Sequence, residues 1–139
     1  MITLGDVTVY STCVYVNNGI KDMGFDTEMG SGVPSFCAAA AEAKISLCEE
    51  NETLAVIPAT GADVDFGSVI DNFDNIVIMK AGKNMSKIYD CLSERNLLNN
   101  AIIASRVGMD GGVTEKIKRD GDYGYFTTVI IKKSLGEGK

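Results

Sequence analysis

The sequence predicts an α/β protein with a largely parallel or mixed sheet, and three observations carry that expectation. Strand-length apolar runs alternate with helix-period apolar stripes along most of the 139 residues. Hydrophobic residues make up 45% and charged residues 23%, enough apolar material for a packed core and too little charge for a disordered chain. The longest uncharged apolar stretches, such as Ala-Ile-Ile-Ala at 101–104, are strand-sized, so no stretch predicts a membrane span.

Residues 1–4 are apolar and run into Gly5-Asp6, like a strand entering a loop. Val9, Cys13, Val16, Ile20 and Met23 then recur at helical spacing, and Gly24 stands where a helix-terminating glycine belongs. Phe25, Thr27 and Met29 alternate with Asp26, Glu28 and Gly30, which predicts a second strand. Gly30-Ser31-Gly32-Val33-Pro34 reads as a linker. The alanine-rich run 35–43 favours a helix that Ser35 can cap. Residues 53–57 predict a strand ending at Pro58, and 63–73 a short helix with Asp63 and Asp65 at its favourable N-terminus. Residues 75–80 form a buried-strand run; Met85, Ile88, Tyr89 and Leu92 then give a helix stripe that Asn84 can cap. Residues 101–105 predict a strand, 114–118 a helical turn in a polar loop, and 125–133 a long final strand.

Composition narrows the chemistry. The chain contains no histidine, which excludes Ser-His-Asp and Cys-His catalysis and histidine-based zinc or haem sites. Any general base near pH 7 is a carboxylate, a Lys or Tyr with a shifted pKa, or water. Cys13, Cys37, Cys48 and Cys91 show no Cys-x-x-Cys spacing, so reduced, mostly buried thiols are expected and no metal site. A net charge of −6 disfavours nucleic acid as a partner. The N-terminus has no signal-peptide character, and a cytoplasmic location is the default expectation. Ala81-Gly82-Lys83-Asn84 resembles the end of a P-loop, but Val77 and Asn84 occupy positions that need Gly and Ser or Thr. Asp110-Gly111-Gly112 lacks the acidic ladder of a calcium loop.

Several short strings occur in a telling order: LGDVTVYST at 4–12, SGVPSFCAAAA at 31–41, ETLAVIPA at 52–59, IVIMKAG at 76–82, SRVGM at 105–109 and YFTTVIIKK at 125–133. Together they resemble the tetrapyrrole methylases of cobalamin biosynthesis, and within them the precorrin-2 or cobalt-factor II C(20)-methyltransferases. The resemblance runs from residue 1 to residue 133. It implies a tetrapyrrole methylase-like α/β fold: a C-terminal domain, residues 31–139, with a mixed sheet flanked by helices, preceded by a remnant of an N-terminal α/β domain, residues 1–30. The front thirty residues are too few for a core of their own. The expectation is therefore a C-terminal piece of a larger enzyme, with the isolated chain inactive.

What the resemblance implies about the site is specific. S-adenosylmethionine is the cofactor, S-adenosylhomocysteine its product, and an anionic tetrapyrrole the substrate. Leu4, Gly5, Asp6 and Val9 match the family's cofactor-contacting loop. There Gly5 would allow close backbone approach, and the carboxylate of Asp6 would favour a cationic methionine moiety. Val7 stands where the family usually has Pro, and Ser31 departs similarly in the linker. Pro34 and Ser35 match the cofactor-contacting junction, Lys80 a strand-end position contacting the cofactor mainly through its backbone, and Val107, Thr127 and Thr128 further cofactor positions. Tyr10 is the catalytic candidate, to orient the reacting carbon or accept a proton, with simple packing as the alternative. Arg106 is the substrate candidate, to pair with a carboxylate, with a surface ion pair as the alternative. A homodimer is expected. A different class of reading stays open: a non-catalytic ligand-binding or dimerisation module of the same fold.

Overall fold

A computed structural model describes residues 1–61 and 63–135. Helix α1 spans Cys13–Asp22 and α2 Ser35–Glu42. After them come β1 (Leu54–Pro58), α3 (Phe66–Asn72), β2 (Asn75–Met79), α4 (Met85–Glu94), β3 (Ala101–Ser105), β4 (Val113–Lys116) and β5 (Thr127–Lys132). The five strands form one mixed sheet in the order β1-β2-β5-β3-β4. Only β1 and β2 are parallel; β5 runs antiparallel to both β2 and β3, and β4 antiparallel to β3.

The period-2 geometry of a strand sorts the apolar runs onto two faces. Ile76, Ile78, Val129, Ile131, Ala101 and Ile103 face α3 and α4, where they meet Ile70, Ile88 and Leu92. Val77, Ile130 and Ala104 face the other way, onto Ala39 and Ala40 of α2. Both faces being covered explains why β2 and β5 read as unbroken apolar runs. Each fully buried Ile or Leu contributes roughly 1.5–3 kcal/mol. At the end of the sheet where β2 begins, Lys132 is buried and its Nζ donates to Glu49 Oε1 and Glu52 Oε2, each at 3.1 Å. Hydrogen bonds from Asn75, the Glu49 N–H and Lys132 pull the Glu52 carboxyl down to about 2.

Local signals behave as their physics requires at several points. Gly24 takes φ +84, its N–H bonding Lys21 O at 2.9 Å while Phe25 N–H reaches Ile20 O at 3.3 Å, the paired bonds of a Schellman end. Asp65 caps α3 by accepting from the Ser68 N–H at 3.0 Å.

Other expectations are corrected. Residues 1–4 and 25–29 form no strand, because no neighbouring chain segment among the described residues completes a hydrogen-bond ladder with them. Helix α1 starts at Cys13, leaving Val9 in the preceding loop, and Val16, Ile20 and Met23 of its stripe are exposed. Ser35 is the first helical residue rather than the cap; Pro34 holds that place, and no side chain caps α2. Asn84 does not cap α4 with its side chain, which donates to Ala59 O instead. The expected helical turn at 114–118 is strand β4, because Val113 and Thr114 pair with Ser105 and Ala104 at the open edge of β3. None of the four cysteines is fully buried; Cys48 is exposed and the others half-buried, all unpaired.

Candidate functional site

Three strand ends meet at one edge of the sheet. The C-terminal ends of β2 and β3 flank the start of β5, with Met79 opposite Thr128 and Ser105 opposite Thr127. The loop 4–10 and the start of α2 close over this edge and leave a cleft of about 330 Å³, within the range of small-molecule sites. Every residue matched to a cofactor, substrate or catalytic position lines it. The front loop brings Leu4, Gly5, Asp6, Val9 and Tyr10; the linker and α2 bring Pro34 and Ser35. The strand ends bring Lys80, Arg106, Val107, Thr127 and Thr128.

The front loop is tied down by Asp6. Its Oδ1 accepts from the N–H of Thr8 at 2.8 Å and from the Thr8 hydroxyl, and its Oδ2 from the Gly32 N–H at 2.7 Å. These bonds hold the Asp6 carboxyl below the usual carboxylate range, the Thr8 hydroxyl contributing most. The carboxylate thus latches loop to linker, a role the sequence reading did not assign. The crossing demands glycine on both sides. Gly5 takes φ +79, and a Cβ on Gly32 would overlap the Gly5 carbonyl oxygen.

Three side-chain-bearing residues in the left-handed region stand at the cleft: Tyr10 (φ +49), Lys80 (φ +59) and Arg106 (φ +53). Lys44 and Asn96, also left-handed, merely close the ends of α2 and α4. Lys80 and Arg106 carry this strain just past strand ends and Tyr10 in the front loop, which makes all three candidates for a functional role. Tyr10 is half in solvent; its hydroxyl donates to Val56 O at 3.3 Å, so its ring is not core packing. The Lys80 ammonium lies 5.6 Å from the Tyr10 ring centroid and 5.4 Å from that of Tyr125. Arg106 is exposed, and no carboxylate among the described residues pairs with it or with Lys80. Thr127 is buried, its hydroxyl donating to Gly124 O at 2.6 Å and lying 3.1 Å from Ser105 Oγ.

Tyr125 and Phe126 escaped the sequence reading. Their rings pack edge to face, with centroids 5.4 Å apart, and both stay more than half exposed at the cleft mouth. The available signal was two adjacent aromatics at the start of an otherwise buried strand.

Comparison with known proteins follows the same lines. The profile of the tetrapyrrole (corrin/porphyrin) methylases matches residues 1–119. The chain is 34% identical over 138 residues to a probable cobalt-precorrin-2 C(20)-methyltransferase of Methanocaldococcus jannaschii, covering 96% of this chain and 58% of that protein. It is 30% identical over 136 residues to the cobalt-precorrin-2 C(20)-methyltransferase of Salmonella typhimurium, covering 95% and 57%. The chain therefore spans little more than half the length of these relatives. Among solved structures, a cobalt precorrin-4 methyltransferase superposes with TM-score 0.75 at 18% identity, over 94% of this chain and 62% of the other. The uroporphyrin-III C-methyl transferase of Thermus thermophilus, complexed with S-adenosylhomocysteine, gives TM-score 0.66 at 12% identity, over 93% and 63%.

Proposed function

Because the chain belongs to the tetrapyrrole (corrin/porphyrin) methylases, we propose that it holds the cofactor of an S-adenosylmethionine-dependent C-methyltransferase acting at C(20) of precorrin-2 or cobalt-factor II. The observation that supports this reading is the convergence, in one strand-end cleft, of every residue the family pattern nominated.

The residues fit that cofactor. The first turn of α2 offers backbone N–H groups that no side chain caps, suited to a carboxylate. Ala38, Met79 and Val107 give an apolar wall for a flat ring, and Thr128 adds a hydroxyl. A Cβ on Gly5 would reach 3.7 Å from Val33 O and 3.8 Å from Ser35 N, filling space that glycine leaves open. When bound, the cofactor supplies an electrophilic methyl group on a sulfonium. What remains for the protein is in-line placement, exclusion of water and removal of one proton. Gly5, Pro34, Ser35 and the backbone of Lys80 do the placing, and Tyr125 and Phe126 screen the mouth. Tyr10, whose hydroxyl donates to Val56 O, orients the reacting carbon, and the proton that carbon loses leaves to water.

The same reading includes a homodimer, supported by exposed Val16 and Ile20 on one face of α1, and a cytoplasmic location. Among the described residues no helix is long and apolar enough to cross a membrane. The 139 residues alone do not turn over, since they cover only 57–58% of the relatives' length. Titration calorimetry with S-adenosylhomocysteine tests the proposal: weak, saturable binding is expected. No heat at millimolar ligand contradicts it, and methylation of precorrin-2 by this chain alone contradicts the statement about turnover.

A further inference from the structure

Lys80 follows the last residue of β2 and Arg106 that of β3, on either side of the start of β5. The register sets Met79 opposite Thr128 and Ser105 opposite Thr127, and Arg106 N–H donates to Phe126 O at 2.9 Å. Two strand spacings put the backbones of the two cations roughly 10 Å apart. Each holds a left-handed backbone that turns it out of the sheet line. In a chain with 19 acidic and 13 basic residues, neither has a carboxylate partner among the described residues.

Lys80 is the more unusual of the two. It is half-buried, and its ammonium lies between two tyrosine rings instead of beside an acid. Such a cation is held in place while its full charge stays available to an anion. The loop that brings Tyr125 is pinned independently. Tyr123 Oη donates to Glu115, and Arg119 Nε donates to Asp90 at 2.8 Å. The carbonyls of Tyr123 and Gly124 rest where a Cβ on Gly82 would be. Lys80 and Tyr10 also border a second, more open recess of about 510 Å³, walled by Val7, Thr8 and Tyr15. The ammonium thus stands at the boundary between two hollows.

We propose that the Lys80 side chain, pre-positioned between Tyr10 and Tyr125, acts with Arg106 as a two-point receptor for carboxylates of a polyanionic macrocycle lying across the cleft mouth. This rests on the reading of the protein as a tetrapyrrole methyltransferase, and it adds a substrate-binding role for the side chain to a residue credited mainly with backbone contact to the cofactor. An ammonium and a guanidinium at fixed separation select ligands by the spacing of their acid groups, and the bonds to carboxylate are charge-assisted.

The test is fluorescence titration of the 139-residue chain with uroporphyrin III, an octacarboxylate, alongside calorimetry with S-adenosylhomocysteine. Expected are saturable binding that weakens with added salt, and a loss of about tenfold in Lys80→Met and in Arg106→Met. Lys80→Arg retains most of the affinity. Lys83→Met, which removes an exposed charge close by in sequence, changes nothing. Circular dichroism confirms that each variant is folded. Unchanged uroporphyrin affinity in Lys80→Met, an equal loss in Lys83→Met, or no saturable uroporphyrin binding by a wild-type chain that binds S-adenosylhomocysteine each overturns the proposal. Failure of the wild-type chain to bind S-adenosylhomocysteine overturns the functional reading instead.

Discussion

Replacing Gly32 with alanine probes the latch between the front loop and the linker. The added Cβ would overlap the Gly5 carbonyl oxygen and lie 3.2 Å from Gly5 C and 3.4 Å from the Asp6 Cα. Relief requires the two segments to part by about 1 Å. That motion strains the 2.7 Å bond from the Gly32 N–H to Asp6 and moves a Gly5 already fixed at φ +79. Overpacking of this kind costs about 1–3 kcal/mol. Neither segment belongs to the sheet, so the cost falls on the cleft rather than on the core. At 1.4 kcal/mol per tenfold, S-adenosylhomocysteine affinity should fall between about fivefold and a hundredfold. Calorimetry reads the affinity, and thermal melting followed by circular dichroism should shift by no more than a few degrees. Gly30→Ala, where an added Cβ meets nothing within 4 Å, is the matched control and should bind normally. Wild-type affinity in Gly32→Ala would refute the latch, and loss of the whole cooperative melt would refute the separation of cleft from core.

Other consequences are independent of the cleft. Leu92→Ala removes a side chain with no exposed surface from the α4 face and should cost about 2–5 kcal/mol in urea unfolding; less than about 1 would mean the face is not packed as described. Glu52 ionises at about 2 in the fold against an ordinary 4.5, so its carboxylate stabilises fully above roughly pH 5 and ever less as pH falls toward 2. Glu52→Gln should flatten the pH dependence of stability across that window and leave a slope only from other carboxylates; an unchanged slope would contradict the network. Burial, helped by the bond to Glu115, pushes the Tyr123 hydroxyl up to about 12, so ultraviolet titration should lose its highest step in Tyr123→Phe. On the apolar face of α1, Val16→Glu should shift a dimer toward monomer in sedimentation; a wild-type chain that is monomeric at high concentration would remove the dimer.

How much was legible in the sequence depended on whether the information was local. The Ile76–Ile78 run of β2 announced a strand because it is buried on both faces, and Gly24 announced a helix end because only glycine takes φ +84 freely. Asp65 was legible for the same reason. The apolar residues 1–4 and the alternation at 25–29 were misread because alternation records a propensity, while a strand also needs a partner. Strand β4 escaped for the converse reason: Val113–Lys116 is too short to show a period, and its partner β3 is close by but hidden from a linear reading. In the site, the order of short strings nominated residues that come together across more than a hundred positions. It gave no sign of how Asp6 is engaged, of the left-handed backbones at Lys80 and Arg106, or of the tyrosine pair around the Lys80 ammonium. Each of these arises from tertiary contact.

Backbone amide shift mapping tests most directly whether the strand-end cleft holds S-adenosylmethionine, as proposed. Isotope-labelled chain titrated with S-adenosylhomocysteine should show saturable perturbations at the amides of Gly5, Ser35, Lys80 and Thr128, while those of Lys132 and Glu52 at the far end of the sheet stay still. Absence of perturbation at millimolar ligand, or perturbations gathered away from these residues, would contradict the account.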